Sequence, residues 1–176
     1  MEPQHKAIWT IGHSTRTIQD FIAMLQSFKI ETVADVRHYP GSRKFPHFNK
    51  DELSVSLSKS DIGYTHIVEL GGRRKAIKES KNTAWHHPAF RAYADYMETG
   101  SFKEGIALLE DIATKKRTAY MCSEAVWWRC HRSMISDYLK VNGWKVMHIM
   151  AIAKAEEHPY TAPAKIVDGM LDYKEE

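Results

Sequence analysis

Short apolar segments alternate with amphipathic helical patterns along most of the chain, and this alternation admits few folds. The segments predicted as strands are Ala7–Gly12, Thr32–Arg37, Tyr64–Leu70, Arg117–Cys122 and Trp144–Met150. A strand that leads into a helix and then into another strand returns by a right-handed crossover, so successive strands run parallel. The sequence therefore predicts a Rossmann-like α/β fold, a single-domain three-layer sandwich with a central, mainly parallel five-stranded sheet.

Capping signals indicate where several helices begin. Thr17 with Asp20 three residues later, and Ser101 three residues before a glutamate, match the pattern in which a hydroxyl bonds the first free amides of a helix. Two histidines before Pro88 are also typical of a helix cap. A small helix is expected near the C-terminus, around Ile166–Leu171.

No repeat, low-complexity tract or linker divides the 176 residues. We expect one domain over 1–176, with a motif-bearing core at about 7–150 and a C-terminal tail at 151–176. His158 lies in that tail and carries no functional expectation. No apolar run approaches the roughly 20 residues of a membrane span, and the first residues lack a secretory pattern. A cytoplasmic protein without a membrane partner is expected, and the sequence does not define an oligomeric state.

Charge and cysteine content limit the partners that the chain can have. A net charge of +3 and a pI near 8.8 permit an anionic ligand but fall short of the basic footprint of a dedicated DNA-binding domain. Two cysteines do not make a disulfide framework. A reducing compartment would keep both as thiols.

Polar, reactive or glycine residues follow four of the five predicted strands. Carboxyl ends of parallel strands meet at one edge of the sheet, where α/β proteins bind ligands. The densest group, residues 122–132, follows the fourth strand and leads into a helix N-terminus, which suits an anion. The residues predicted to bind an anionic substrate at this edge are Gly12, Ser14, Arg37, Ser42, Gly72, Arg73, Trp127, Trp128 and Arg132.

These motifs together resemble a known family. Thr-Ile-Gly-His-Ser at 10–14, Asp-Val-Arg at 35–37, Pro-Gly-Ser-Arg-Lys-Phe-Pro-His-Phe at 40–48, Leu-Gly-Gly-Arg-Arg at 70–74, and Cys-x-Glu with Cys-His-Arg within 122–132 are similar to the bacterial and archaeal family called domain of unknown function 488. The resemblance runs from about Ile8 to Met150 and implies an α/β fold. Its motif positions here are Gly12, His13, Ser14, Asp35, Arg37, Pro40, Ser42, Gly71, Gly72, Arg73, Cys122, Glu124, Cys130, His131 and Arg132. The activity has to be argued from the chemistry of the site.

Two chemistries are compatible with these residues. Cys122 closes a strand just before a helix N-terminus, near arginines and His131, and such surroundings lower a thiol pKa and create a nucleophile. A rhodanese- or phosphatase-like thiol or redox protein would use it, although Arg129 stands seven positions after Cys122 rather than six and two tryptophans replace small residues. The alternative is a buried, inert cysteine.

Carboxylates offer the second chemistry. Glu124 and Asp35, with His13 or His131 to move protons, would divide acid and base roles in cleavage or transfer at a nucleotide or nucleoside N-glycosidic bond. A structural role is the alternative for Glu124, which would then cap the following helix or pair with Arg132.

Metal binding and nucleic-acid binding are further interpretations. The two cysteines with His131 and His13 include zinc-type ligands, but their spacing matches no structural zinc motif, so we expect no metal and no cofactor. Aromatic side chains interleaved with basic ones, among them Tyr39, Trp127 and Trp128, would suit a non-catalytic nucleic-acid-binding protein.

The interpretation that combines most of these residues is an enzyme. We expect a hydrolase or transferase that acts on a small phosphate-bearing or nucleotide-derived substrate, with nucleic acid as the alternative partner. The candidate catalytic residues are Cys122, Glu124, His131, His13 and Asp35.

Overall fold

A six-stranded sheet forms the centre of the computed structural model, which describes residues 6–175. The sheet order is β3-β2-β4-β1-β5-β6, and its strands are β1 (Ala7–Gly12), β2 (Thr32–Asp35), β3 (Gly63–His66), β4 (Thr118–Cys122), β5 (Lys145–Ala151) and β6 (Lys154–Glu157). The first five strands of this order pair in parallel, and β6 pairs antiparallel with β5. The predicted α/β class is confirmed, with one strand more than the five expected.

Five α-helices within the described residues cover the two faces of the sheet. They are α1 (Ile18–Ser27), α2 (Lys50–Ser58), α3 (Pro88–Tyr96), α4 (Gly100–Lys115) and α5 (Arg132–Val141). One core cluster packs α1 and α2 against alternate residues of the strands, such as Ile11 and Met121. A second cluster packs α3, α4 and α5 against the strand residues that point to the opposite face of the sheet, such as Tyr120. Both faces of the central strands are thus buried, as the continuous apolar segments require.

The helix caps follow the sequence signals with one exception. Thr17 accepts a hydrogen bond from the Asp20 amide at 3.0 Å, which confirms the start predicted for α1. The His87 ring accepts from the amide that follows Pro88, as expected of a cap. The start predicted at Ser101 is wrong, because Thr99 caps α4 two residues earlier and places Ser101 inside the first turn.

The C-terminal helix expected around Ile166–Leu171 is also wrong. A two-stranded hairpin stands there instead, with β7 (Lys165–Val167) and β8 (Met170–Asp172). Asp168 and Gly169 between them have φ values of 52° and 76°. An Asp-Gly pair that accepts positive φ at both positions is the strongest short-range hairpin signal, and it outweighs the helical spacing of the apolar residues.

The topology creates a crevice at the carboxyl edge of the sheet. The chain leaves β1 and β2 for helices on one face, but it leaves β4, which lies between them, for α5 on the other face. Gly12 at the end of β1 is paired with Cys122 at the end of β4, and Asp35 at the end of β2 is paired with Met121. Loops that diverge in this way leave room for a ligand. None of the helices described within residues 6–175 has the length and apolar character needed to cross a bilayer.

Candidate active site

A cavity of about 600 Å³ opens at this edge. The predicted site residues that line it come from four separate loops and are His13, Ser14, Arg37, Ser42, Gly72, Arg73, Cys122, Glu124 and His131. Cys130, which the sequence placed in the family motif but not among the site residues, lines the cavity as well. The other predicted residues, Gly12, Asp35, Trp127, Trp128 and Arg132, do not line it.

Asp35 and Arg37 form a fixed ion pair in the wall of the cavity. The carboxylate of Asp35 accepts from Nε of Arg37 at 2.9 Å and from Nη2 at 2.7 Å. The hydroxyl of Tyr64 donates to the same carboxylate. Asp35 is fully buried and Arg37 is 7% exposed. Asp35 therefore orients the guanidinium from behind, and only Arg37 faces the cavity.

Arg132 lies behind the opposite wall and is 1% exposed. Its guanidinium donates to the Cys122 sulfur at 3.0 Å, to Thr10 Oγ1 at 3.0 Å and to the Glu124 carbonyl at 2.7 Å. Among residues 6–175 no carboxylate comes within ion-pair distance of it. A buried cation needs an anion nearby, and the sulfurs are the groups available.

The thiols of Cys122 and Cys130 form a pair whose sulfurs are 2.9 Å apart, and both are free. Burial would raise the pKa of Cys130, but the hydrogen bond from Cys122 and the charge of Arg132 lower it to about 5. Burial, together with the hydrogen bond to Cys130 and the charge of that neighbouring sulfur, raises the pKa of Cys122. These opposite directions favour a pair that shares one proton and carries one negative charge beside Arg132. Arg132 is the counterion of this pair, since its Nε donates to the Cys122 sulfur at 3.0 Å and to the Cys130 sulfur at 3.4 Å. The lowered pKa points to Cys130, rather than to Cys122, which the sequence singled out, as the thiol that ionises first.

Two histidines present an unprotonated nitrogen beside the thiol pair. Nδ1 of His13 is 2.9 Å from the Ser14 carbonyl, and Nε2 of His131 is 2.7 Å from the Val36 carbonyl. A carbonyl only accepts, so these nitrogens carry the protons, and His13 Nε2 and His131 Nδ1 are unprotonated. His13 Nε2 meets only a long 3.5 Å contact from Arg37 Nη1. Burial lowers the pKa of His13 to about 4 and also lowers that of His131. Both imidazoles are neutral at pH 7 and can accept a proton.

Arg73 supplies an exposed positive charge at the mouth of the site. Its side chain is exposed, and the guanidinium lies 5.8 Å from the ring centre of Tyr39 at the mouth of the cavity. Within the described part of the chain it has no carboxylate partner. Arg73 can therefore bind a ligand anion without first breaking an ion pair.

Glu124 has a divided role. Its backbone carbonyl accepts from Arg132, whereas its exposed side chain lines the cavity. The expected helix cap and ion pair are not formed, because His131 occupies the cap position of α5 and Arg132 reaches the carbonyl rather than the carboxylate. The Glu124 carboxylate is thus available to a ligand.

Two glycines shape the walls by allowing close contact. A Cβ at Gly12 would overlap the Glu124 carbonyl, so this glycine seats the β4–α5 loop against β1. A Cβ at Gly72 would lie 2.6 Å from His131 Nδ1. Gly72 therefore keeps the bare nitrogen of His131 clear.

The paired tryptophans lie outside the cavity. Trp127 is 9% exposed, stacks on His148 with ring centres 4.6 Å apart, and donates from Nε1 to Glu156. Trp128 is 51% exposed and packs edge-on against Trp127. Neither ring can stack on a ligand inside this cavity.

A second polar cluster, which the sequence did not reveal, continues from Arg132 into the interior. We call Thr10, His148, His158 and Asp137 the sealed network, because each is at most 1% exposed. The Thr10 hydroxyl is 2.6 Å from His148 Nδ1, His148 Nε2 is 2.8 Å from His158 Nδ1, and His158 Nε2 is 2.8 Å from Asp137.

Both ends of the sealed network fix the direction of its hydrogen bonds. Arg132 can only donate, so Thr10 accepts from it and donates onward to His148. Asp137 accepts from His158 and also from the Tyr173 hydroxyl at 2.7 Å. Burial, with His158 and Arg132 nearby, lowers the pKa of His148 to about 2. His148 is therefore neutral, and the network holds Arg132 by one side while the thiol pair holds it by the other.

Within residues 6–175 no group of three histidine, cysteine, aspartate or glutamate side chains is arranged so that it could hold a metal ion. The cysteines are engaged with Arg132, and the bare nitrogens of His13 and His131 stand on different loops.

A protein-family model described as Domain of unknown function DUF488 matches residues 17–139, so the chain belongs to that family. The comparisons with curated proteins and with solved structures gave no match.

Proposed function

We propose that this member of the family is an enzyme that binds a small anionic substrate, phosphate-bearing or nucleotide-derived, and acts on it as a hydrolase or transferase. One observation carries the proposal: a pair of thiols in contact, two imidazole rings and a guanidinium that has no ion-pair partner among residues 6–175 border a single cavity. A structural role alone would not require bare nitrogens and an unpaired cation on the same surface.

The charges of the cavity favour an anion. Arg37 faces the cavity and is held rigid by Asp35, so it loses little side-chain freedom on binding. Arg73 can add a second guanidinium with the fork geometry that matches a phosphate or carboxylate. The volume of about 600 Å³ is that of a pocket for a nucleotide-sized molecule.

The thiolate is the group best placed to react. In a phosphoryl transfer, the Cys130 sulfur bonds to phosphorus as the bond to the leaving oxygen breaks, and that oxygen takes a proton from water. A second water then attacks phosphorus, gives its proton to His13 Nε2 or His131 Nδ1, and releases phosphate and the thiolate. Glu124 is the alternative reactive group, since its carboxylate lines the same cavity.

Calorimetry with inorganic phosphate and with a nucleoside monophosphate tests the binding part. We expect saturable binding that Arg73→Gln weakens about tenfold, the loss of roughly one charge-assisted contact. Arg129→Gln is the matched control, because Arg129 is exposed on the same side of the fold and does not line the cavity. Equal binding by both variants would contradict the anion site.

Turnover of phosphomonoesters and nucleotides tests the reactive group. Cys130→Ser should abolish activity, Cys122→Ser should lower it through the pKa of its neighbour, and Glu124→Gln should leave it largely intact. Loss of activity in Glu124→Gln with full activity in both cysteine variants would assign the reaction to the carboxylate and reject the thiol route.

Non-catalytic binding of nucleic acid is the second candidate. The observation that favours it is Tyr39, which is 68% exposed beside Arg73 and offers a stacking surface at the mouth. Affinity for a single-stranded oligonucleotide that falls steeply with salt, together with no turnover of any small substrate, would favour this candidate.

A further inference from the structure

We propose that Cys122 and Cys130 form a dithiol centre that reduces a low-molecular-weight disulfide bearing carboxylates, with Cys130 as the attacking thiolate and Cys122 as the thiol that closes the protein disulfide. The inference rests on the proposed function for its anion site, and it assigns a second class of substrate to the same cavity.

The geometry of the pair supports closure without rearrangement of the fold. The two sulfurs already touch at 2.9 Å, and a disulfide bond requires about 2.05 Å. Cys122 ends β4 and Cys130 lies just before α5, and the two sulfurs have to approach each other by only about 0.9 Å. Both side chains line the cavity, and a ligand can therefore reach them.

The surroundings assign different roles to the two sulfurs. Cys130 is 8% exposed and Cys122 is 2% exposed, so Cys130 is the more accessible. The amide of Arg132 donates to the Cys130 sulfur at 3.3 Å, at the N-terminal end of α5. Backbone amides and the positive end of a helix stabilise a thiolate there. Cys122, the less exposed of the two, keeps its proton until the second step of the reaction.

The electrons and protons of the reaction balance. The Cys130 thiolate bonds to one sulfur of the substrate disulfide, the substrate S–S bond breaks, and one substrate thiolate leaves. Cys122 then gives up its proton to the second departing thiol and bonds to the Cys130 sulfur, which releases that thiol. The protein dithiol is oxidised by two electrons, and the substrate disulfide is reduced to one thiolate and one thiol.

The cavity favours a disulfide that carries carboxylates. Arg37 and Arg73 line the same cavity as the thiol pair, on loops that follow other strands. A bidentate guanidinium–carboxylate contact would hold the substrate while its sulfur reaches Cys130. A neutral disulfide of similar size lacks this contact.

Dithiobis(nitrobenzoate), a coloured disulfide with carboxylates, is the probe for the order of attack in the reduced full-length chain. The wild type should release two coloured thiolates per chain and end as an internal disulfide with no label. Cys122→Ser should release one and keep the label on Cys130. The wild-type rate should be nearly independent of pH between about 6 and 8, whereas the Cys130→Ser rate should rise about tenfold per pH unit.

Two results would overturn the order of attack. One is a wild type that keeps the label instead of closing its own disulfide, and the other is a Cys130→Ser variant whose rate stays independent of pH. Brief labelling of the wild type followed by acid quenching and peptide mass mapping needs no variant. The transient label should lie on Cys130, and a label on Cys122 would overturn the assignment.

The neutral probe dithiodipyridine tests the recognition of carboxylates. Arg73→Gln should slow the reaction with dithiobis(nitrobenzoate) about fivefold or more relative to the neutral probe, and Arg129→Gln should leave that ratio unchanged. An unchanged ratio in Arg73→Gln would reject a carboxylate-bearing substrate. Phosphate binding by Cys130→Ser is measured separately, so failure of the proposed anion site and failure of the dithiol reaction give different results.

Discussion

Arg132 lies between two polar regions that contain similar residues. They differ in how many of their histidine nitrogens have a hydrogen-bond partner. On the cavity side, His13 Nε2 meets only a long 3.5 Å contact with Arg37, and His131 Nδ1 makes no hydrogen bond with any residue between 6 and 175. In the sealed network, each histidine nitrogen has a partner within 2.8 Å. Burial lowers the pKa of histidines in both regions, so a shifted pKa does not by itself identify a functional group. The two regions differ in unfilled hydrogen-bonding capacity next to a cavity, and that difference supports the proposed function on the cavity side.

Replacing Arg132 should have the largest effect, because both regions depend on it. Arg132→Met removes the counterion of the thiol pair and the donor to Thr10, and we expect a loss of about 3–5 kcal/mol in the free energy of unfolding. The remaining thiolate should take up a proton, so the apparent pKa of the pair rises. Urea unfolding and the pH profile of alkylation by iodoacetamide measure the two effects. Arg129→Met is the exposed control. An unshifted alkylation profile in Arg132→Met would show that Arg132 does not stabilise the charge of the thiol pair.

Asp137→Asn should damage the sealed network alone. The amide nitrogen would face donors such as the Tyr173 hydroxyl and His158 Nε2, and the charge-assisted bonds would be lost. We expect a loss of about 2–4 kcal/mol in the free energy of unfolding. Asp111→Asn on the exposed face of α4 should change it by less than about 0.5 kcal/mol.

The alkylation profile of the thiol pair makes Asp137→Asn informative about function. If the sealed network only supports the fold, the folded variant should keep the wild-type dependence on pH. A shift comparable to that of Arg132→Met would show that the network tunes the thiolate directly.

Gly72→Ala should damage the cavity side alone. The new methyl would press on His131 Nδ1 at 2.6 Å, and overpacking of this kind costs about 1–3 kcal/mol. Turnover should fall further than stability, since the displaced nitrogen faces the substrate. Gly41→Ala is the matched control, because Gly41 lines the same cavity and its Cβ would meet nothing within 4 Å. Equal activity of the two variants would show that the bare nitrogen is not used.

Acid titration separates the histidines of the two regions by their pH windows. The folded-state pKa of His13, about 4, is below the ordinary value of 6.5, so the unfolded chain binds more protons between these values. The stability associated with neutral His13 is complete above pH 6.5 and is lost as the pH falls towards 4, with a slope of about 1.4 kcal/mol per pH unit. The window of His148 extends from 6.5 down to about 2.

His13→Asn isolates one of these contributions. Between pH 6.5 and 4, the free energy of unfolding of the variant should depend on pH less steeply than that of the wild type, by about 1.4 kcal/mol per pH unit. Below pH 4 the two slopes should be equal. Unfolding by urea at several pH values measures both parts. An unchanged slope above pH 4 would mean that His13 is already protonated in the folded protein.

The sequence identified the parts of the fold that local patterns specify. Apolar segments predicted the parallel strands, and the hydroxyl of Thr17 marked the start of α1. The third strand was predicted too long, because β3 ends at His66 and Val68–Leu70 form a 3-10 helix instead of continuing it to Leu70. Strand β6, with the sequence Lys-Ala-Glu-Glu, has no apolar pattern and forms because the turn after β5 brings it back onto that strand. The C-terminal hairpin was missed because turn chemistry at Asp168 and Gly169 outweighs helical spacing.

The parts of the candidate site that lie directly after strands were predictable from the sequence. The parts formed by contacts between residues far apart in the sequence were not. The loops with His13, Arg37 and Arg73 were found because parallel strands gather their carboxyl ends. The sealed network was missed because Thr10 and His148 read as ordinary strand residues and His158 as part of a tail. A polar residue in the middle of an otherwise buried strand, as at both Thr10 and His148, was the one available signal.

The floor and the rim of the cavity differ in how the backbone is held. In the floor, Cys122 ends β4, which pairs with β1 in the middle of the sheet, whereas the rim around Tyr39 and Arg73 lies on irregular loops. Amide hydrogens of the central strands should therefore exchange with deuterium only through global unfolding, and those of the rim through local opening. Substitutions in the rim could then change which molecules enter while the reacting sulfurs keep their positions.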